Sequence, residues 1–329
     1  MTLPATMRAA FIEATGGPEL IRVGELATPS PGPTDVLLRM EATTVNPVDT
    51  FVRSGAYATP TPFPFILGRD VVGVVVALGR GVTEFAMGDR VWSNSLGHAG
   101  RQGTFSEFVL APAERAYHLP GGVDPMAAIA VLHNTGTAHL GLFREAQVRL
   151  GETVVVEGGA GGVGSAVVQL AKAAGARVIA TASAQDHAWC VASGADAVVD
   201  YRAPDALVQV EAAAPDGVDV WWDTSGRNDL EACLPLLALG ARVVVMSGLA
   251  SAVTLPVGRL YTRDVSVRGF AISNASISDL AAAARVINAE LTMGTLRARY
   301  LTTMGLADAA RAHAAIDQRA ITGRLVVVP

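Results

Sequence analysis

The sequence predicts an α/β chain in which a doubly wound parallel sheet is joined to a separate β-rich region, and three observations carry that prediction. From about Met126 onward, short apolar strands alternate with alanine-rich helical stretches, the texture of repeated strand–helix units. Within that stretch, Thr153 to Ala174 reads TVVVEGGAGGVGSAVVQLAKAA, a β-branched run, a turn of five glycines and one side of an amphipathic helix. The first 125 or so residues instead hold β-rich segments cut by PSPGP and TPTPFPF, with little sign of helix.

In chain order, the first strands are expected at Arg8 to Glu13, Asp35 to Glu41, Val71 to Gly79, Asp89 to Ser93 and Phe105 to Ala111, in an antiparallel or barrel-like arrangement. Six strands then follow at Thr153 to Glu157, Arg177 to Thr181, Ala197 to Asp200, Val218 to Asp223, Arg242 to Met246 and Val265 to Gly269. Helices near Ser278 to Met293 and Leu306 to Gln318 and a last strand, Leu325 to Val328, close the chain. This tail is expected to pack back on the first region. The domains are therefore placed at 1–126 with 271–329 and at 127–270.

Gly159, Gly161 and Gly164 fit G-x-G-x-x-G, with Gly162 and Val163 in the same turn. Alone that pattern is weak, because glycine turns arise for many reasons. Here a buried-type strand precedes it, and Val163, Ala166, Val167, Leu170, Ala171 and Ala174 follow at helical spacing before Gly175. Mere packing does not call for such glycine density, whereas a pyrophosphate held against helix N–H groups does. An acid at the end of the next strand would hold a ribose hydroxyl and repel a 2′-phosphate. That strand runs on to Ser183 with no acid, which leaves room for NADP. Asp186 follows, and Ser183-x-x-Asp186 resembles a capping box, so NADH stays open as the alternative.

Bulk properties exclude several classes. The 329 residues suggest about two domains, and half of them are hydrophobic. A net charge of -5 without a basic cluster argues against nucleic acid. Mean hydropathy is +0.37, yet no apolar run nears the roughly 20 residues that span a bilayer. The first residues lack a long apolar core behind a basic start, so no signal peptide and a cytoplasmic location are expected. Two cysteines, Cys190 and Cys233, are too few for a disulfide framework or a zinc cluster. The six histidines show no paired ligand spacing, so structural or surface roles are expected for each.

The segments NPVDTFVRSGAY (46–57), PFILGRDVVGVV (64–75), GDRVW (88–92), AGGVG (160–164), VVDYR (198–202) and ITGRLVVV (321–328) together resemble the medium-chain dehydrogenase/reductase superfamily, most closely its zinc-independent quinone oxidoreductase, or zeta-crystallin-like, branch. The resemblance implies a GroES-like domain from the two ends of the chain, a Rossmann domain, and a nicotinamide cofactor in the cleft between them. Zinc-dependent relatives carry a cysteine in the Asn46 segment and Gly-His-Glu where this chain has Gly68-Arg69-Asp70, so no metal site is expected. Without a Lewis acid, alcohol oxidation is disfavoured. An already electron-poor acceptor, a quinone or an α,β-unsaturated carbonyl, can still take a hydride and then a proton.

By the same resemblance, Asn46 would lie near the nicotinamide and the reacting carbonyl, although Asn46-Pro47 also reads as a turn. Tyr57 would donate the proton, with water as its rival, or else simply anchor a loop. Phe51, where several relatives have tyrosine, makes the pocket more apolar. Thr137, in a segment expected to begin a helix, would touch phosphate or ribose; Tyr201 and Arg319 match positions that contact a 2′-phosphate; Ser183, Ser247 and Phe270 complete the cofactor contacts. NADPH is preferred to NADH on Tyr201 and Arg319, against Asp186. An enoyl-thioester reductase and a nucleotide-binding protein without turnover are the alternatives. The first would need a basic patch that the scattered arginines do not reveal. The expected assembly is a homodimer through the Rossmann domain.

Overall fold

The computed structural model describes residues 3–329. The chain divides into two compact units, Met1–His133 with Ser276–Pro329, and Asn134–Ala275.

The second unit holds six parallel strands in the order Ala197–Asp200, Arg177–Ala182, Thr153–Glu157, Val218–Asp223, Leu237–Val245, Ser266–Gly269. This is the doubly wound order whose direction reverses between the first strand in sequence and the fourth. Val154, Val155, Val156, Val178, Ile179, Ala180, Val220 and Trp222 are all fully buried, as strands covered on both faces require. The Gly162–Ala173 helix buries Ala166, Val167, Leu170 and Ala171, a stripe in which each large side chain contributes about 1.5–3 kcal/mol. It ends at Gly175, which takes the left-handed φ of 78°. Trp221 and Trp222 are core residues, and the Trp222 ring lies so close to Gly141 that a Cβ there would stand 2.0 Å from it.

The first unit is built on β-structure. Its larger sheet runs Leu301–Gly305, Arg324–Val328, Asp35–Thr44, Val71–Leu78, Arg90–Ser93, Tyr117–His118, with Phe108–Pro112 also paired to Asp35–Thr44. The tail thus supplies two strands to a sheet begun near the N-terminus, Val326 and Val327 pairing with Thr44 and Thr43. A smaller sheet orders Arg22–Ala27, Thr6–Ile12 and Phe65–Ile66.

One element here departs from the expectation of little helix. Pro47–Ser54 is a helix, with Asn46 as its N-cap, Pro47 in the first turn and Gly55 closing it at φ 82°. Asn46-Pro47 is a helix start, because the fixed φ of proline suits a position whose N–H has no helical partner. Further differences lie in the same unit, where Arg22–Ala27, Phe65–Ile66 and Tyr117–His118 are also strands beyond those expected. The helix expected over Leu306 to Gln318 is a 3-10 turn followed by Ala309–Asp317, and Leu301–Gly305 is a strand that no expectation covered.

Candidate functional site

Register assembles the site of the second unit. Pairing sets Thr181 beside Glu157, Ala182 beside Asp200, Asp223 beside Glu157 and Val245 beside both Asp223 and Gly269, so the six strands end in one row. The residues that step off that row are the glycine turn, Ser183, Tyr201, Ser247 and Phe270, five of the features expected to meet a cofactor. Open parallel sheets bind ligands at this carboxyl edge, at the reversal of strand order.

Each glycine has a separate reason. Gly158 turns with φ 74°; a Cβ on Gly159 would lie 2.7 Å from Ala180 Cβ; one on Gly162 would meet the Asn134 amide at 2.6 Å; one on Gly164 would lie 2.1 Å from Gly158 O. Gly161 is the helix N-cap, so bare backbone leads to the first N–H groups of a 12-residue helix. Ser247 Oγ, two residues past the end of its strand, is buried without a hydrogen-bond partner. The residues therefore fit a nucleotide. Asp223 braces the loop after its own strand, its carboxylate accepting from the N–H groups of Ser225, Gly226 and Asn228.

Ser183 and Asp186 correct the capping-box reading. Ser183 precedes a 3-10 turn, Ala184–Asp186, and its hydroxyl donates to Asp186 Oδ2 at 2.7 Å in place of accepting a backbone N–H. The Asp186 carboxylate is thereby turned back on Ser183. Tyr201, just past its strand, is flanked by the guanidiniums of Arg202 and Arg227, each 5.1 Å from the ring centroid. Arg227 was not foreseen, being 26 residues from Tyr201 and on another loop. Thr137 lies inside the Leu132–His139 helix, not at its start, and is 2% exposed. Phe270 packs edge-on to Trp222, with centroids 5.9 Å apart.

In the first unit a buried polar cluster surrounds Asn46. Its Nδ2 donates to Asp70 Oδ2 at 2.7 Å and to Thr44 Oγ1 at 3.3 Å, while its Oδ1 accepts from Arg324 Nη2 at 2.7 Å. Arg324 also donates to Ala130 O, and Asn46 N–H to Asp49 Oδ2 at 2.7 Å. Both amide hydrogens of Asn46 are thus committed within its own unit. His133 Nδ1 stands 3.0 Å from Asp70 Oδ1, so the ring holds a proton on that nitrogen. Burial pushes Asp70 up, but His133 and the bonds from Asn46 and Thr44 outweigh it and hold the carboxyl below the ordinary range. Asp49 goes the other way: burial, then repulsion from Asp70, pushes it up to about 6 against the pull of Arg69.

The pairing of His133 with Asp70 was invisible as sequence, because 63 residues separate them. Among the described residues no group of three or more His, Cys, Asp or Glu is gathered to hold a metal ion. Asn46 and Asp70, from two of the segments compared above with those of zinc-dependent relatives, bond to each other. Tyr57 stands at the rim of the cluster with Arg69 6.0 Å from its ring centroid, and its hydroxyl makes no hydrogen bond among the described residues. Phe51 is 38% exposed on the same helix as Asp49. Arg319 belongs to this unit, exposed beyond the Ala309–Asp317 helix with φ 52°.

A nucleotide cradle on a doubly wound sheet, in one chain with a GroES-like β unit, defines a dehydrogenase or reductase of the medium-chain type. Family models agree: one described as alcohol dehydrogenase GroES-like domain matches residues 32–121, and one described as zinc-binding dehydrogenase matches 162–289. Quinone oxidoreductase of Rattus norvegicus is 31% identical over 310 residues, 93% of each chain. The crystal structure of a Pseudomonas syringae pv. tomato quinone oxidoreductase aligns with TM-score 0.86 at 30% identity, over 98% of this chain and all of that one. A mycobacterial protein complexed with NADPH aligns with TM-score 0.85 at 31% identity, over the same shares. The chain belongs to the medium-chain dehydrogenase/reductase superfamily, in its quinone oxidoreductase branch.

Proposed function

We propose that the protein is a zinc-independent, NADPH-dependent reductase of quinones or α,β-unsaturated carbonyls. The observation that carries the reading is the glycine cradle at the carboxyl edge of the sheet, with the buried, unpartnered Ser247 Oγ just past another strand end of the same edge. Support for a 2′-phosphate comes from Tyr201 between Arg202 and Arg227, and from Asp186 being held by Ser183. The structure of a relative with NADPH adds to this. Gly159, Gly161, Gly162, Val163 and Gly164 would hold the pyrophosphate, Tyr201 and Arg319 the 2′-phosphate, and Thr137, Ser183, Ser247 and Phe270 the remainder.

When bound, the nicotinamide supplies a hydride. The acceptor must also gain a proton, at the carbon next to the hydride-receiving one or at oxygen, and we assign that proton to the Tyr57 hydroxyl, replenished from solvent. Asn46, its amide committed to Asp70, Thr44 and Arg324, acts as a positioning residue that braces the segment of Arg69, the guanidinium at the Tyr57 ring. Phe51 lends the pocket an apolar wall. Two copies of the chain pair through the open edge of the parallel sheet.

NADPH oxidation measured against a panel of quinones and a panel of enones tests the reading. Turnover with at least one panel is expected, and Tyr57→Phe should lower kcat about a hundredfold. Binding of NADPH without turnover of any acceptor would show that the fold is kept for another purpose. In titrations, NADPH should bind more tightly than NADH, and Arg227→Ala should shrink that preference about tenfold; tighter NADH binding overturns the cofactor assignment.

A further inference from the structure

Charge that is scattered in the sequence converges in the first unit on one buried serine. Arg101 Nη2 donates to Ser95 O and Arg115 Nη1 to Ser95 Oγ, each at 3.3 Å, and Ser95 is 7% exposed. Neither guanidinium forms an ion pair among the described residues, and Arg101 Nε is buried with no hydrogen-bond partner. Asp49 and Asp70 bear on the neighbouring Arg69, and the exposed Glu114 is the acid that bears on Arg101.

This charge reaches the residue we assign as proton donor through His98, whose carbonyl accepts from Arg101 N–H at 3.2 Å. His98, from the loop that follows Ser95, packs on Tyr57 with ring centroids 5.9 Å apart, and its Nδ1 is 3.0 Å from Thr59 Oγ1. Burial, then the fields of Arg69, Arg101 and Arg115, drive His98 down to about 4, so its ring is neutral at physiological pH. Burial and the same two neighbours also depress Arg101. Half-buried guanidiniums that crowd each other cost stability unless an anion offsets them.

We infer that Arg101 and Arg115, around Ser95, receive an anionic group, a carboxylate or a phosphate, carried by the acceptor that Tyr57 protonates. The inference rests on the reductase reading and narrows its substrate class. The natural acceptor is an acidic enone or quinone, or an unsaturated thioester with a phosphate-bearing carrier, in place of a neutral quinone. Two convergent guanidiniums suit either anion, since both offer paired oxygens to forked N–H donors.

The test uses an enone bearing a free carboxylate, its methyl ester and a phosphate-bearing enoyl thioester. Steady-state kinetics at saturating NADPH are compared for the wild type, Arg101→Gln, Arg115→Gln and Arg115→Lys. Calorimetry follows binding of the saturated acid, which cannot be reduced, and unfolding midpoints check that each variant is folded. A preference for acid or thioester over ester of about ten- to hundredfold in kcat/KM is expected, expressed in KM. The preference should fall toward one in both glutamine variants and return in part with Arg115→Lys, and the Kd of the saturated acid should rise by a similar factor. Loss of the acid preference identifies a carboxylate as the anion, and loss of the thioester preference a phosphate. Reduction of the ester with no preference for either anion overturns the anion site and leaves the reductase standing. Binding of the saturated acid that responds to both arginines, with no acceptor reduced, overturns the reductase reading and leaves the anion site.

Discussion

His313 shows how one residue can set the acid limit of a fold. Its side chain is fully buried, edge-on to Phe105, and neither ring nitrogen has a hydrogen-bond partner. Burial, then the Arg53 charge, lowers it from 6.5 to about 3. The unfolded chain therefore binds a proton that the folded one refuses throughout that window. Stability is fully present above about pH 6.5 and is lost as the pH falls toward 3. At pH 5 the loss is about 2 kcal/mol. His313→Leu, which removes the titration and keeps an apolar body, should melt much like the wild type at pH 8 and clearly above it at pH 5. Parallel melting curves at both pH values would show that acid sensitivity resides elsewhere, for which Asp70 is the next candidate.

At the level of elements, what could be read from sequence follows from contact distance along the chain. The strand, glycine turn and helix between Thr153 and Ala174 are local, and the space around Gly161 and Gly164 is set by residues of the same turn. Thr224, Ala180 and Asn134, which crowd a side chain on Gly158, Gly159 and Gly162, come from other elements. The Pro47–Ser54 helix was missed because eight residues offer too short an apolar period and Asn-Pro signals turns and helix starts alike. Asn46 could be named from its segment, but its partners could not: Asp70 is 24 residues away and Arg324 278. The convergence of Arg101 and Arg115 on Ser95 likewise depends on tertiary structure. For the turn itself, Gly164→Ala would set a Cβ 2.1 Å from Gly158 O, so the cradle must shift. We expect NADPH affinity to fall at least about tenfold, with a stability cost of about 1–3 kcal/mol. Gly258→Ala, in the exposed Val257–Tyr261 helix with nothing within 4 Å of the added Cβ, should leave binding unchanged in the same titration. Equal affinity in both variants would mean that this turn holds no phosphate.

For the whole molecule, the parallel sheet ends in a strand that has a neighbour on one side only. Ser266–Gly269 pairs with Leu237–Val245 alone, and Val267 on it is 38% exposed. Leu239 on the neighbouring strand, and Tyr261 and Val257 just before this one in the chain, are 73%, 71% and 60% exposed. An open apolar edge is a template for another strand, and native proteins protect such edges with charge, proline or a partner. Arg268 is the one charge on this strand, so the pairing proposed above would cover the rest of it. The proposed second copy would satisfy both the unpaired backbone and the apolar side chains through a two-fold axis, the commonest symmetry of soluble assemblies. Light scattering at micromolar concentration should therefore report twice the mass of one chain. Val267→Lys, which sets like charges against each other across such an axis, should shift the protein toward single chains and lower its melting temperature. A wild type of one-chain mass, or a variant that stays paired, would place the subunit contact away from this edge.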